Sequence, residues 1–334
     1  MTLPILICDD SNLARKQMAK SLPKDWDIDI SFARHGLEAI EFIRQGKAEI
    51  MFLDLNMPEM DGYEVLEAIR ESDLPTMVIV VSGDIQPEAY QRVINLGALD
   101  FIKKPIDVEH LISILGKYGI YSATTNSQEK APEKNINIEV SLYDAYQEVA
   151  NVAMGQAANL LAQLLDVFVV LPVPKVSMIE VNELKMALSQ AEFNNSQSAI
   201  CQGFIGSGIS GEALMIFNDT SLSDIAQLMK YKGEIDQTIE IELLMDISSI
   251  LIGAFLKGFT QQLDINFSQS HPVIIGRHIK MEDLLKNDSM HWTKTLSIEI
   301  PYNIEDKKIQ CDLLILFTED SLKPMNDRMS YILD

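Results

Sequence analysis

Residues 50–62 read IMFLDLNMPEMDG. The stretch opens on a four-residue apolar run, Ile50–Leu53, closes it on Asp54, and crosses a proline and a glycine before a helical pattern near 63–71. A short, wholly apolar strand followed by a helix is the unit of a parallel sheet covered on both faces. Four more such units flank it. Apolar runs near Ile5–Cys8, Ile28–Phe32, Met77–Val81 and Phe101–Ile102 alternate with helical patterns near 12–22, 36–45, 87–96 and 107–117. Five βα units over residues 1–121 predict a (βα)5 doubly wound α/β domain, with its ligand site at the C-terminal ends of the strands.

Those ends carry chemistry. Asp9 and Asp10 follow the first strand and Asp54 ends the third. Three carboxylates converging on one crevice repel one another unless a hard cation lies between them, which points to Mg2+. Ser82 ends the fourth strand and Lys104 follows the fifth. A hydroxyl and an ammonium beside such a site suit an incoming phosphoryl group, and an aspartate can be its nucleophile.

With CDD at 8–10, LDLNMPEMDG at 53–62, VSGD at 81–84 and DFIKKP at 100–105, the first 120 residues resemble the response-regulator receiver family, close to its chemotaxis CheY type. The resemblance implies that Asp54 takes phosphate from a histidine kinase. It implies that Asp9, Asp10, Asp54 and the Asn56 backbone carbonyl hold Mg2+, and that Ser82 and Lys104 contact phosphoryl oxygens. Phe101 matches the aromatic switch that turns inward on phosphorylation. Lys104 is the match rather than Lys103 because it precedes Pro105, whose peptide bond is cis in the family.

Residues 122–137, SATTNSQEKAPEKNIN, are polar and aperiodic and read as a linker that reaches roughly 50–55 Å when extended. Beyond it, SLYDAYQEVANVAMGQAANLLAQLL at 141–165 is an amphipathic helix. Leu142, Ala145, Val149, Val152 and Ala153 form its apolar stripe. Asp144, Glu148 and Asn151, at i, i+4 and i+7, share the other side and are expected to be exposed. Residues 138–334 also look duplicated, in halves of about 138–235 and 236–334. Asn151 precedes Pro174 by the same interval as Ser249 precedes Pro272, and LMIFNDTSL at 214–222 echoes LILFTEDSL at 314–322. Each half reads as a long helix, a strand and a β-hairpin, which makes a pseudo-two-fold α/β domain.

The spacing Asp144-x3-Glu148-x2-Asn151-x22-Pro174 resembles the CheC/CheX/FliY family of CheY-phosphate phosphatases. The resemblance gives Asn151 the attacking water, since a carboxamide can both accept and donate a hydrogen bond. It gives Glu148 the docking of the substrate's phosphate-holding lysine. Asp144 and Pro174 are expected to set the helix and its flanking loop. The second half departs from the pattern: Glu242, Asp246 and Ser249 stand before Pro272, so this site is expected to be degenerate, with its helix near 239–262 kept for packing. GFIGSGISG at 203–211 contains GxGxxG, but the strand-like ALMIF follows where a nucleotide loop needs a helix, so it reads as a hairpin turn.

Composition narrows the classes. The net charge is −22, with 14 basic against 22 acidic side chains in residues 1–136 and 13 against 27 in the rest. Neither part suits nucleic acid or an anionic membrane. Three distant cysteines and five scattered histidines indicate neither a disulfide framework nor a zinc site. The absence of a long apolar run or a leader-like start leads to the expectation of a cytoplasmic protein.

The sequence thus reads as a receiver, phosphorylated on Asp54 by a histidine kinase, that regulates a CheC-type protein aspartyl-phosphate phosphatase whose substrate is a phosphorylated CheY-like regulator. Two alternatives stand: an adaptor that docks phosphorylated receivers without hydrolysis, and a phosphate sink that clears its own receiver in cis. A homodimer stays open, and no residue pattern indicates a CheD-type partner.

Overall fold

The computed structural model describes residues 2–122, 138–180, 197–279, 294–304 and 309–333. The linker expected at 122–137 therefore lies outside the described residues except for Ser122. The chain divides into two compact units, Met1–Glu148 and Val149–Asp334. The division falls inside a helix, α6 (Leu142–Leu165), and not at the expected linker, because the first two turns of that helix make their contacts within the first unit.

In the first unit, five strands form a sheet in the order β2-β1-β3-β4-β5: β1 (Leu3–Cys8), β2 (Ile28–Ala33), β3 (Ile50–Leu53), β4 (Met77–Ser82) and β5 (Asp100–Lys103). Every pairing is parallel. Helices α1 (Asn12–Ser21), α2 (Gly36–Arg44), α3 (Gly62–Ser72), α4 (Pro87–Asn95) and α5 (Val108–Lys117) alternate with the strands. The central strands β1, β3 and β4 are almost wholly apolar because each face meets helices, whereas the edge strands β2 and β5 also carry Asp29, Ser31, Asp100 and Lys103. Ile5, Ile7, Ile50, Phe52, Ile79 and Val81 pack with Met18 of α1 and with Leu111 and Leu115 of α5. Their strand neighbours Leu6, Cys8, Met51, Leu53, Val78 and Val80 pack on the opposite face with residues of α2, α3 and α4.

The second unit contains the rest of α6, then β6 (Val169–Val170), β7 (Lys175–Glu180), β8 (Gln197–Gly206), β9 (Ile209–Asn218), α7 (Leu222–Leu228), α8 (Gln237–Leu263), β10 (Ser268–Gln269), β11 (Val273–Ile279), β12 (Lys294–Ile304), β13 (Gln310–Phe317) and α9 (Leu322–Leu333). Its sheet runs β10-β8-β9-β13-β12-β6, with β11 also on β8 and β7 also on β12, and its pairings are antiparallel. The order of a long helix, a two-residue strand, a longer strand, a strand pair, a 3-10 turn and a helix occurs twice. At the centre β9 meets β13 with Leu214 opposite Leu314, Phe217 opposite Cys311 and Gly211 opposite Phe317. This register is its own image when each residue is displaced by 100 positions.

The GxGxxG stretch is the β8–β9 hairpin. Its two-residue loop places Ser207 at φ 55° and Gly208 at φ 78°, the left-handed pair that a tight hairpin turn requires. No helix starts there. The two long helices of this unit approach closely at Gly258, where a Cβ would lie 2.6 Å from the Ala153 carbonyl oxygen. The side chains of Ala150, Ala153, Ala157 and Ala158 are fully buried on α6, so small residues let the two helices come together. Gly258→Ala is expected to destabilise the second unit by about 1–3 kcal/mol through overpacking, read as a lower midpoint in denaturant unfolding.

Candidate functional site

The strand ends of the first unit converge as their topology requires. Asp9 follows β1, and its backbone N–H donates to Ala33 across the strand pair. Asp54 follows β3, its N–H donating to the Cys8 carbonyl at 2.9 Å. Both side chains are buried. Behind Asp54, the first residue of α3 must be glycine, because a Cβ at Gly62 would lie 2.3 Å from the Asp54 carbonyl oxygen. Ser82 ends β4 fully buried, its hydroxyl accepting from the Asp84 N–H at 3.1 Å. Lys104 follows β5 and is tied to Ser82 by a backbone bond of 2.9 Å, ahead of a cis Lys104–Pro105 peptide. Asn56 is half-buried in the loop after β3. Phe101 is half-buried in β5 with its ring edge-on to Tyr90, centroids 6.1 Å apart.

Lys104 is the cation in ion-pair contact with these carboxylates. Its Nζ donates to Asp9 Oδ2 at 2.7 Å and stands 3.5 Å from Asp54 Oδ1 and 3.4 Å from Glu148 Oε1. Although burial alone would lower its pKa, the carboxylates raise it well above the usual lysine value, Asp54 foremost. Burial pushes the Asp54 carboxyl up, with Lys104 opposing and Asp9 and Asp10 adding to the rise. Burial, then the neighbouring Asp9 charge, lifts Asp10 to about 7. Four acids around one ammonium, with the Arg15 guanidinium behind them on the Asp9 carbonyl, leave the site short of positive charge.

Asp9, Asp10 and Asp54 can each bring one oxygen within 4.8 Å of the others. Asp10 Oδ1 is buried with no hydrogen-bond partner in the structure. An all-oxygen donor set, excess negative charge and an orphaned carboxylate oxygen fit a hard divalent cation such as Mg2+. Beside them Cys8 is buried, its Sγ 3.5 Å from Met57 Sδ, and its pKa is raised first by burial and then by Asp9 and Asp54.

The opening of α6 completes the first unit. Ser141 Oγ accepts from the Asp144 N–H at 3.2 Å, while Asp144 Oδ2 accepts from the Ser141 N–H at 2.8 Å and hydroxyl at 2.6 Å. This reciprocal cap sets the helix start. Asp144 Oδ1 accepts from Asn12 Nδ2 at 3.0 Å. Glu148 is 6% exposed, so the expectation of an exposed face is corrected: the side chain is covered where its carboxylate meets Lys104. Burial raises its pKa, while Lys104 and the Ser11 hydroxyl oppose the rise.

In the second unit Asn151 is also buried, 8% exposed, and neither its Nδ2 nor its Oδ1 has a hydrogen-bond partner. Pro174 is buried immediately before β7. The corresponding residues of α8 stand differently: Glu242 and Asp246 are exposed, Ser249 is half-buried, and Pro272 is half-buried before β11. Sequence reasoning missed three neighbours of the strand-end site. Ser11 caps α1 by accepting from the Ala14 N–H. Arg15, almost fully buried, donates to the Asp9 carbonyl and to Asn12 Oδ1. The i, i+3 spacing of Asn12 and Arg15 just after the acidic pair was the available signal.

Residues 5–116 match the model of the response regulator receiver domain. The chain is 38% identical over 116 residues to the chemotaxis protein CheY of Listeria monocytogenes, an alignment that spans 97% of that protein and 34% of this chain. The chain belongs to the response-regulator family through this receiver domain. A receiver domain implies a phosphodonor such as a histidine kinase, and such domains typically bind Mg2+ through an acidic cluster of the kind formed by Asp9, Asp10 and Asp54. Among solved structures, the response regulator domain of Thermotoga maritima CheB is 27% identical and covers 36% of this chain and all of that one, with a TM-score of 0.32. Thermotoga maritima FliY is 17% identical and covers 59% of this chain and all of that one, with a TM-score of 0.45. That likeness bears on neither activity nor partner. No helix of the described residues is long and apolar enough to cross a membrane.

The carboxyl shifts carry a pH dependence. A carboxyl whose folded pKa lies above its unfolded one holds its proton more tightly in the native state, so stability is greatest below the unfolded value and falls as pH rises. For Asp10 that window runs from the ordinary 3.8 to about 7, and Asp54 and Glu148 shift the same way. In chelator, the melting temperature of the first unit is expected to fall between pH 5 and 7.5. Millimolar Mg2+ at pH 7.5 is expected to restore it, followed by calorimetry across the pH series.

Proposed function

We propose that residues 138–334, duplicated in two halves, form a CheC-type phosphatase for the aspartyl phosphate of receiver domains, with one working half. The pairing of Glu148 with Lys104 is the observation that carries this reading. Lys104 is the ammonium that would hold the phosphoryl group, and Glu148 is the motif acid whose resemblance-based role is to dock such a lysine. Asn151 lies three residues further along the same helix, so the two side chains share its side. Its buried carboxamide is unpaired. An unpaired buried amide has a cost that a water or phosphoryl oxygen would relieve.

In this reading Asp54 attacks the phosphorus of the donor: a phosphorus–oxygen bond forms at Asp54 as the donor's bond to phosphorus breaks. The cation, when bound, supplies positive charge to the phosphoryl oxygens, and Lys104 and Ser82 hold those oxygens. Phe101 then turns inward as the switch. For hydrolysis, Asn151 accepts a hydrogen bond from the attacking water and fixes it in line. Water attacks phosphorus, the bond to Asp54 breaks, the carboxylate is regenerated, and inorganic phosphate leaves with the water's proton shared into solvent. Glu148 draws on the lysine that steadies the phosphoryl group.

The substrate is the phosphate of a CheY-like regulator. The same observation favours this chain's own Asp54 phosphate as a second substrate, because the lysine that Glu148 meets is its own. Exposed Asp246 and the short Ser249 leave the α8 face without a matching carboxamide.

Three substitutions test the assignment. Asp54→Asn is expected to abolish labelling by a small phosphodonor while leaving the fold intact by circular dichroism; persistent labelling would place the phosphate elsewhere. Asn151→Ala is expected to slow phosphate release from phospho-receivers at least tenfold, about 1.4 kcal/mol of barrier. Ser249→Ala is expected to change the rate by less than twofold. Equal losses at positions 151 and 249 would mean that both halves work.

A further inference from the structure

Lysine contact alone cannot tell one receiver from another, because any phosphate-holding lysine satisfies Glu148. Long-range charge does not help either: both portions of this chain are acidic, and like charges do not steer one acidic receiver toward another. Discrimination then falls to short-range polar contacts. One such contact lies apart from the phosphoryl-holding lysine: Asn12 Nδ2 donates to Asp144 Oδ1 at 3.0 Å.

Its chemistry is directional. Arg15 donates from one terminal nitrogen to the Asp9 carbonyl and from the other to Asn12 Oδ1. A guanidinium has no acceptor, so the oxygen end of the Asn12 amide must face it, and the NH2 end must face Asp144. Asp144 is divided in the same way. Oδ2 is committed to Ser141 at the helix cap, and Oδ1 is left for Asn12. Arg15 is 3% exposed and cannot swing away to free the amide.

We propose that Asp144 is a specificity-determining residue: through Oδ1 it selects receivers that present a neutral amide two positions beyond their paired carboxylates, as Asn12 does after Asp10. A carboxylate at that position would set like charge against Asp144 at hydrogen-bond distance and would be rejected. The proposal rests on the phosphatase reading and adds to it the recognition of substrate.

The test is a charge swap in the full chain. Each variant is labelled on Asp54 with acetyl phosphate and Mg2+, the donor is removed, and the lifetime of the aspartyl phosphate is followed, with the initial labelling rate showing that the acidic cluster is intact. Asn12→Asp is expected to lengthen the lifetime at least tenfold. Adding Asp144→Asn, which restores a donor–acceptor pair with the polarity reversed and keeps an oxygen for Ser141, is expected to bring it back to within about threefold of the parent. A lifetime unchanged by Asn12→Asp, or a double variant no faster than the single one, overturns the proposal. Should Asn12→Asp fail to label, Asn12→Ala decides by the same lifetime: a several-fold increase supports the proposal and a parental value overturns it. The parent is compared with Asn151→Ala in the same series. A gap between those two sustains the phosphatase reading whatever position 12 shows, and its absence removes that reading first.

Discussion

Everything at the strand ends depends on one ammonium. Lys104 is buried among Asp9, Asp54 and Glu148, with Asp10 beside them. A buried charge is tolerable only when it is paired, and a buried acid cluster only when something positive enters it. One lysine among four acids, with Arg15 behind them on the Asp9 carbonyl, leaves the cluster under-neutralised. It is therefore receptive to a cation, and the acid that reaches in from α6 adds to the imbalance. The fold supplies the convergence: parallel strands deliver their C-terminal residues to one edge, where Asp9 and Asp54 are held by backbone bonds to the neighbouring strand.

Glu148 thus has an ambivalent position. Its attraction to Lys104 is offset by burial and by the Asp9 charge, which leaves it an acid with a raised pKa and one oxygen without a partner. The reciprocal cap between Ser141 and Asp144 has no such conflict and fixes where the helix begins.

The first domain was legible because its pattern is strict. Central strands buried on both faces leave near-continuous apolar runs, and β1, β3, β4 and β5 each end on or beside a polar residue with few structural reasons to be there, so Asp9, Asp54, Ser82 and Lys104 could be read from the sequence. The second unit was legible in its element order, and the hairpin at Ser207–Gly208 in its turn residues. Less accessible was anything set by a second packing partner. Periodicity put Glu148 and Asn151 opposite the apolar stripe and made that side solvent-facing, whereas both are buried. A helical wheel separates polar from apolar residues but does not say what covers the polar side. Asn12 and Arg15 escaped notice for the same reason, since a donor and an acceptor at i and i+3 are ordinary on a helix until a third group completes the chain.

Cys8 shows what the acidic surroundings mean for a different chemistry. A thiol must lose its proton to attack an oxidant or an alkylating reagent, and here burial together with Asp9 and Asp54 keeps that proton on. Met57 covers the sulfur. Burial and a held proton both disfavour Cys8 as a nucleophile toward peroxide or a disulfide, although it adjoins the first acid of the crevice. The negative charge that makes the crevice hospitable to a cation thus also works against a thiolate forming beside it.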